Sequence, residues 1–164
     1  MKPVIVTVAA RASSSAEAAF SAVVPIDLEE AFTGWGPFPA VIGIEHQPGA
    51  WDAAGKTRTV LLKGGGILRE RALEYESPVR FAYEVLPHQG PLKALVERIN
   101  GQFVFRELHL GHTEISWTYE FVPRRRTRPL LLLLAPLWRR YARQLVARFA
   151  AAAERQQAAA PPAT

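Results

Sequence analysis

The chain has 164 residues, 49% apolar and 21% charged, which suits one domain with a sizeable core and excludes a disordered or fibrous segment. It has no cysteine, so disulfides, thiolate metal sites and a cysteine nucleophile are excluded. The net charge of +5 is uneven: from Pro123 onward there are nine arginines and one acid, Glu154, whereas the first 122 residues hold eleven basic and fourteen acidic side chains, a net −3.

Residues 3–10 are apolar and β-branched and predict a strand. The run is broken by Thr7 and has no cleavage site after it, so it does not read as a signal peptide, and a cytoplasmic location is expected. Ser14 and Glu17 have capping-box spacing for a short helix through Ala18, Phe20 and Val23, closed by Pro25. Asp27 and Glu30 repeat that spacing for a second helix, Leu28 to Phe32, ended by Gly34 and Gly36. Two short helices broken by a proline make a brace, not a crossover between parallel strands.

From Val41 the pattern changes to strands over 41–46, 57–63, 67–76, 79–86, 99–110 and 113–122. Turn signals divide them at Pro48-Gly49, Gly64-Gly65-Gly66, Ser77-Pro78 and Gly111-His112, and a polar stretch, 87–97, has room for a helical turn. In the last strand Ile115, Trp117, Tyr119 and Phe121 alternate with Glu114, Ser116, Thr118 and Glu120, so one face is buried and the other wet. Val79, Phe81, Tyr83 and Val85 alternate in the same way. The facing of 99–110 stays open: a two-residue turn sets Arg106 opposite Trp117 and turns Phe103 and Phe105 outward, and one residue more reverses this.

A long helix over about residues 129–156 closes the chain, with Leu130, Leu134, Leu137, Tyr141, Leu145 and Phe149 as its core-facing stripe. Pro136 is expected to kink it or to mark its first turn. Residues 1–156 thus read as a single α+β domain, with 157–164 a frayed tail.

The order strand, two short helices, meander and long C-terminal helix resembles the helix-grip domain of the SRPBCC superfamily, which includes START-like lipid carriers and polyketide cyclases/dehydrases. The resemblance covers about residues 3–155. It rests on Ser15-Ala16-Glu17-Ala18-Ala19-Phe20, on the run from Gly49 to Arg58, on the Glu70 strand followed by Ser77 to Tyr83, and on Gly111 to Trp117. It implies a curved antiparallel sheet of about seven strands gripping the long helix, with an apolar ligand such as a lipid or polyketide held between them. Fold alone does not establish function.

In that arrangement the candidate pocket residues are Phe81, Tyr83, Trp117 and Tyr119 from the sheet and Leu134, Leu137, Trp138 and Tyr141 from the helix. Arg58 and Glu70 are candidate polar groups, as general base and partner or as a structural ion pair. His88 lies in the loop expected to cover the pocket mouth. His46, His88, His109 and His112 show no metal-ligand spacing, and no H-E-x-x-H, nucleophile elbow or P-loop occurs, so neither metal nor cofactor is expected.

Binding or carrying a hydrophobic small molecule is the first expectation, and general acid/base cyclisation or dehydration of such a ligand is the alternative. The leucines of 130–137, flanked by arginines across Arg124–Arg140, are ten residues with their neighbours and too short to span a bilayer. They suit transient contact with an anionic membrane surface or a dimer partner, so monomer and homodimer both remain open. The pattern of nucleic-acid modules is missing, and no such partner is expected.

Overall fold

The computed structural model describes residues 2–162. Seven strands form one antiparallel sheet: β1 (Val4–Ala12), β2 (Val41–Glu45), β3 (Thr57–Leu62), β4 (Ile67–Glu76), β5 (Arg80–Gln89), β6 (Val96–His109) and β7 (His112–Pro123). The helices are α1 (Ala16–Val23), α2 (Leu28–Ala31), α3 (Pro91–Leu95) and α4 (Arg128–Ala159). In space the strands run β1-β7-β6-β5-β4-β3-β2, so five hairpin connections build the meander and β1 joins last, against β7. With α4 packed across the sheet, this is a helix-grip fold.

Local chemistry accounts for most element ends. Asp27 caps α2 by accepting from the backbone N–H groups of Glu29 and Glu30. The α1 cap is Ser15, which accepts from Ala18 N–H at 3.1 Å, and not Ser14 as its spacing from Glu17 predicted. Ser14 is drawn inside instead, where its carbonyl accepts from the Thr113 hydroxyl at 2.8 Å. Helix α4 passes through Pro136 and ends at Ala159, three residues beyond its expected end. Glu154 and Gln157 accept from the backbone N–H groups of Ser13 and Ser15, each at 2.9 Å, so the start of the expected tail is tied to the β1–α1 junction.

The ambiguous strand is settled by a bulge. Arg106 pairs with Glu114, Phe105 with Ile115 and Phe103 with Trp117, while a shift between Glu107 and His109 absorbs one extra residue before the turn. Phe103 and Phe105 therefore face inward with Trp117 and Ile115. A second bulge, between Ala72 and Glu74, brings Tyr75 to the same side as Ala72, where its ring meets Phe20 and Phe81 edge-on.

The buried stripe of α4 runs through Leu131, Ala142, Leu145, Val146, Phe149 and Ala153, with Tyr141 at its margin. Leu130 and Leu137 stand about 100° and 120° from Leu131 at 100° per residue and turn outward, and Leu134 is only half-buried. The expected stripe was offset because a run of five leucines offers two apolar faces, and the sheet selects one. The start of α4 also covers the β1 edge: Arg128 and Arg139 donate to the carbonyls of Lys2 and Thr7 at 3.1 and 3.3 Å.

Candidate functional site

A cavity of about 150 Å³ lies between the concave face of the sheet and α4. Strand alternation supplies its sheet wall, with Trp117, Tyr119 and Phe121 from β7, Ile99 and Phe103 from β6, and Phe81, Tyr83 and Val85 from β5. Helix α4 contributes Trp138, Tyr141 and Phe149, and Phe32 and Phe38 close the side next to α2. The half-exposed Ile26, Leu28, Leu62 and Leu92 mark where the cavity nears the surface. Space of this size suits a ring-sized apolar group, since an apolar cavity of about 150 Å³ holds a benzene-sized guest.

The wall is an aromatic stack. Phe103 lies parallel to Trp117 with ring centroids 5.4 Å apart, and Tyr83 stacks between Phe81 and Phe103 at 5.6 and 6.3 Å. Tyr83 fits there because its cross-strand neighbour is Gly101. A Cβ at that position would lie 2.3 Å from the tyrosine Cζ, so no other residue leaves the ring its place. The Tyr83 hydroxyl accepts from the Trp117 indole N–H at 3.0 Å.

Burial pushes the Tyr83 phenol well above its ordinary range, with the Glu70 charge adding to the effect, while hydrogen bonds from Tyr119 and Trp117 and the charge of Arg58 oppose it. Tyr119 is raised by burial too, and further by its neighbours Tyr83 and Glu70. Burial raises Tyr141 as well, against the Gly34 N–H it accepts at 3.1 Å. All three stay protonated near neutral pH, so none of them serves as a base.

Arg58 and Glu70 are the charged residues of the wall. They are direct cross-strand partners on β3 and β4, and Arg58 Nε donates to Glu70 Oε2 at 2.7 Å with both side chains 9% exposed. The guanidinium also lies over the Trp51 ring, 4.2 Å from its centroid. Trp51 itself is buried and meets Phe81 edge-on.

Eight of the eleven residues singled out in the sequence thus line one cavity: Arg58, Glu70, Phe81, Tyr83, Trp117, Tyr119, Trp138 and Tyr141. Leu134 and Leu137 do not, because the phase of α4 sets Trp138 into the wall instead. His88 does not either: β5 continues to Gln89, and alternation turns Pro87 inward and His88 out to solvent. The sequence reading missed Trp51, Gly101, Phe32 and Phe38. A glycine inside an otherwise apolar strand was the available signal for Gly101. Trp51 and Phe38 sit in irregular segments without periodicity, and Phe32 ends a helix too short to show a face.

Residues 3–154 match the family described as polyketide cyclase / dehydrase and lipid transport. The chain belongs to that family. Solved structures share the helix-grip fold at low identity. One is the Zhui aromatase/cyclase from Streptomyces sp. R1128, with 14% identity, TM-score 0.63, and 94% of this chain and 95% of that chain covered. Another is the di-domain aromatase/cyclase StfQ of the steffimycin biosynthetic pathway, with 23% identity and TM-score 0.60, where 93% of this chain covers 46% of that one. A third is Ara h 8.0201, with 12% identity, TM-score 0.59, and 91% and 99% covered. No curated protein matches the sequence. Membership of this polyketide cyclase/dehydrase family supports a role in hydrophobic ligand binding or cyclisation.

Proposed function

We propose that this protein binds or carries a hydrophobic small molecule in the cavity between its sheet and α4. The observation that carries the reading is an aromatic wall whose polar groups are largely engaged with one another, Arg58 with Glu70 and Trp117 with Tyr83. Such a wall offers contact area and few hydrogen bonds, which favours apolar ligands. Native mass spectrometry of the purified protein, with organic extraction of what co-purifies, is the test. A defined apolar compound at near-unit stoichiometry is expected, and a protein that neither retains nor takes up any hydrophobic probe rules the reading out.

Cyclisation or dehydration of such a ligand is the second reading, favoured by Arg58, Glu70 and Tyr83 sharing one cavity. There Arg58 polarises a ligand carbonyl and a protonated Tyr83 supplies a proton. Turnover of an aromatic polyketide precursor that falls in Tyr83→Phe, with binding retained, supports it; binding with no turnover does not.

Transient contact with an anionic membrane surface through Arg124–Arg140 accompanies either reading. Leu130, Leu133 and Leu137 lie within about 60° of one another on α4. Leu133 is 71% exposed, and the exposed Arg140 borders this face. No helix among the described residues is long and apolar enough to cross a membrane, and contact through this leucine face alone would be with the membrane surface. Sedimentation with phosphatidylserine vesicles that weakens with salt and in Leu133→Ser is expected. Indifference to lipid charge and salt, or burial of the same leucines in a homodimer, overturns it.

A further inference from the structure

We infer that Glu70 sets the charge specificity of the cavity: by cancelling Arg58 it admits uncharged, acceptor-bearing ligands and excludes carboxylates. This rests on the ligand-binding reading above. A lone arginine in an apolar wall is a carboxylate receptor, because its planar fork matches two carboxylate oxygens and its charge is poorly screened there. In this wall the Nε edge of the guanidinium is already committed, and its charge is balanced by Glu70. Arg58 and Glu70 are opposite one another in the β3–β4 ladder, so the backbone register brings them together. The bond of 2.7 Å is made through Nε, and Trp51 holds one face of the guanidinium.

The terminal nitrogens of Arg58 have no hydrogen-bond partner among the described residues and remain as donors. Arg58 and Glu70 are the charged groups lining the cavity, and the tyrosine hydroxyls of Tyr83, Tyr119 and Tyr141 stay neutral, so the wall carries no net charge. A ketone, quinone or ether oxygen can accept from Arg58 without disturbing the pair. A carboxylate must enter beside the Glu70 carboxylate or displace it, and either way one buried anion is left unpaired. The cavity size limits the part enclosed to about one ring.

The test uses two probes of nearly the same shape, 4-fluoroacetophenone and 4-fluorobenzoate, with binding followed by fluorine NMR. The wild-type protein is expected to bind the ketone at least about tenfold more tightly at pH 7, and Glu70→Gln to raise benzoate affinity about tenfold or more relative to that of the ketone measured in the same variant. Equal binding of the two probes by the wild type, or a benzoate affinity unmoved in a folded Glu70→Gln, overturns the inference.

A measurement on the wild type alone covers the case in which the variant fails to fold. Only the protonated acid should enter, so the apparent benzoate affinity should rise about tenfold per pH unit as pH falls toward the acid's own pKa, with the ketone flat. A flat benzoate profile also overturns the inference. If neither probe nor uncharged Nile red binds, the ligand-binding reading itself fails and takes this one with it.

Discussion

Tyr83 is held by three separate features: a glycine that leaves room for its ring, an indole that donates to its hydroxyl, and stacking on Phe81 of its own strand and Phe103 of the next. Gly101→Ala removes the first. Its methyl would overlap the ring, so the tyrosine must leave its stack, and a loss of about 1–3 kcal/mol of stability is expected with an altered near-ultraviolet circular dichroism spectrum. Urea unfolding followed by Trp fluorescence measures it; unchanged stability and spectrum would show that the ring is free to move. The raised tyrosines make a second prediction. Above pH 10 or so the unfolded chain loses phenolic protons that Tyr83 and Tyr119 keep in the fold. The unfolded state then binds fewer protons, so stability should fall as pH rises through that range. In a spectrophotometric titration of the folded protein, these two of its four tyrosines should contribute no phenolate absorbance until it unfolds.

At the scale of the element, α4 separates what a leucine does from where it sits. Leu131 is 5% exposed and Leu137 is 40% exposed, although both belong to one apolar run. Leu131→Ala is expected to cost about 2–4 kcal/mol through the cavity it leaves, and Leu137→Ala less than about 1 kcal/mol. Thermal and chemical unfolding of the two variants decides this, and equal losses would mean that the helix phase is other than described. The same periodicity that shows α4 to be a helix does not choose its face, since an apolar run without polar interruption satisfies more than one stripe. Capping behaves differently, because a serine and its target N–H lie within one turn. Even so, three consecutive serines left the choice between Ser14 and Ser15 to packing, and Thr113 drew Ser14 inward.

At the scale of the whole molecule, the two ends of the chain meet. Strand β1 pairs with β7, the last strand, and α4 returns to the β1–α1 junction through Glu154 and Gln157. Removing residues from Glu154 onward deletes both contacts and the last turns of α4. A loss of about 1–2 kcal/mol is expected, together with faster amide exchange at Ser13 and Ser15 than in the full chain. Protection unchanged at both amides would show that this end contributes nothing.

What the sequence determined by itself is whatever depends on neighbours along the chain. The bounds of β4, the alternation of Ile115, Trp117, Tyr119 and Phe121, the cap at Asp27 and the α+β class all follow from period-two patterning, turn residues and side chains that reach their own backbone. Its aromatic content also pointed to most of the cavity wall. Only the tertiary structure decided the rest: the inward facing of Phe103, the turn of Tyr75 onto Phe20 and Phe81, the face of α4, the outward turn of His88, and the pairing of Arg58 with Glu70. One bulged residue reverses a strand, and a bulge is settled by partners far away in sequence, so no local pattern carries it.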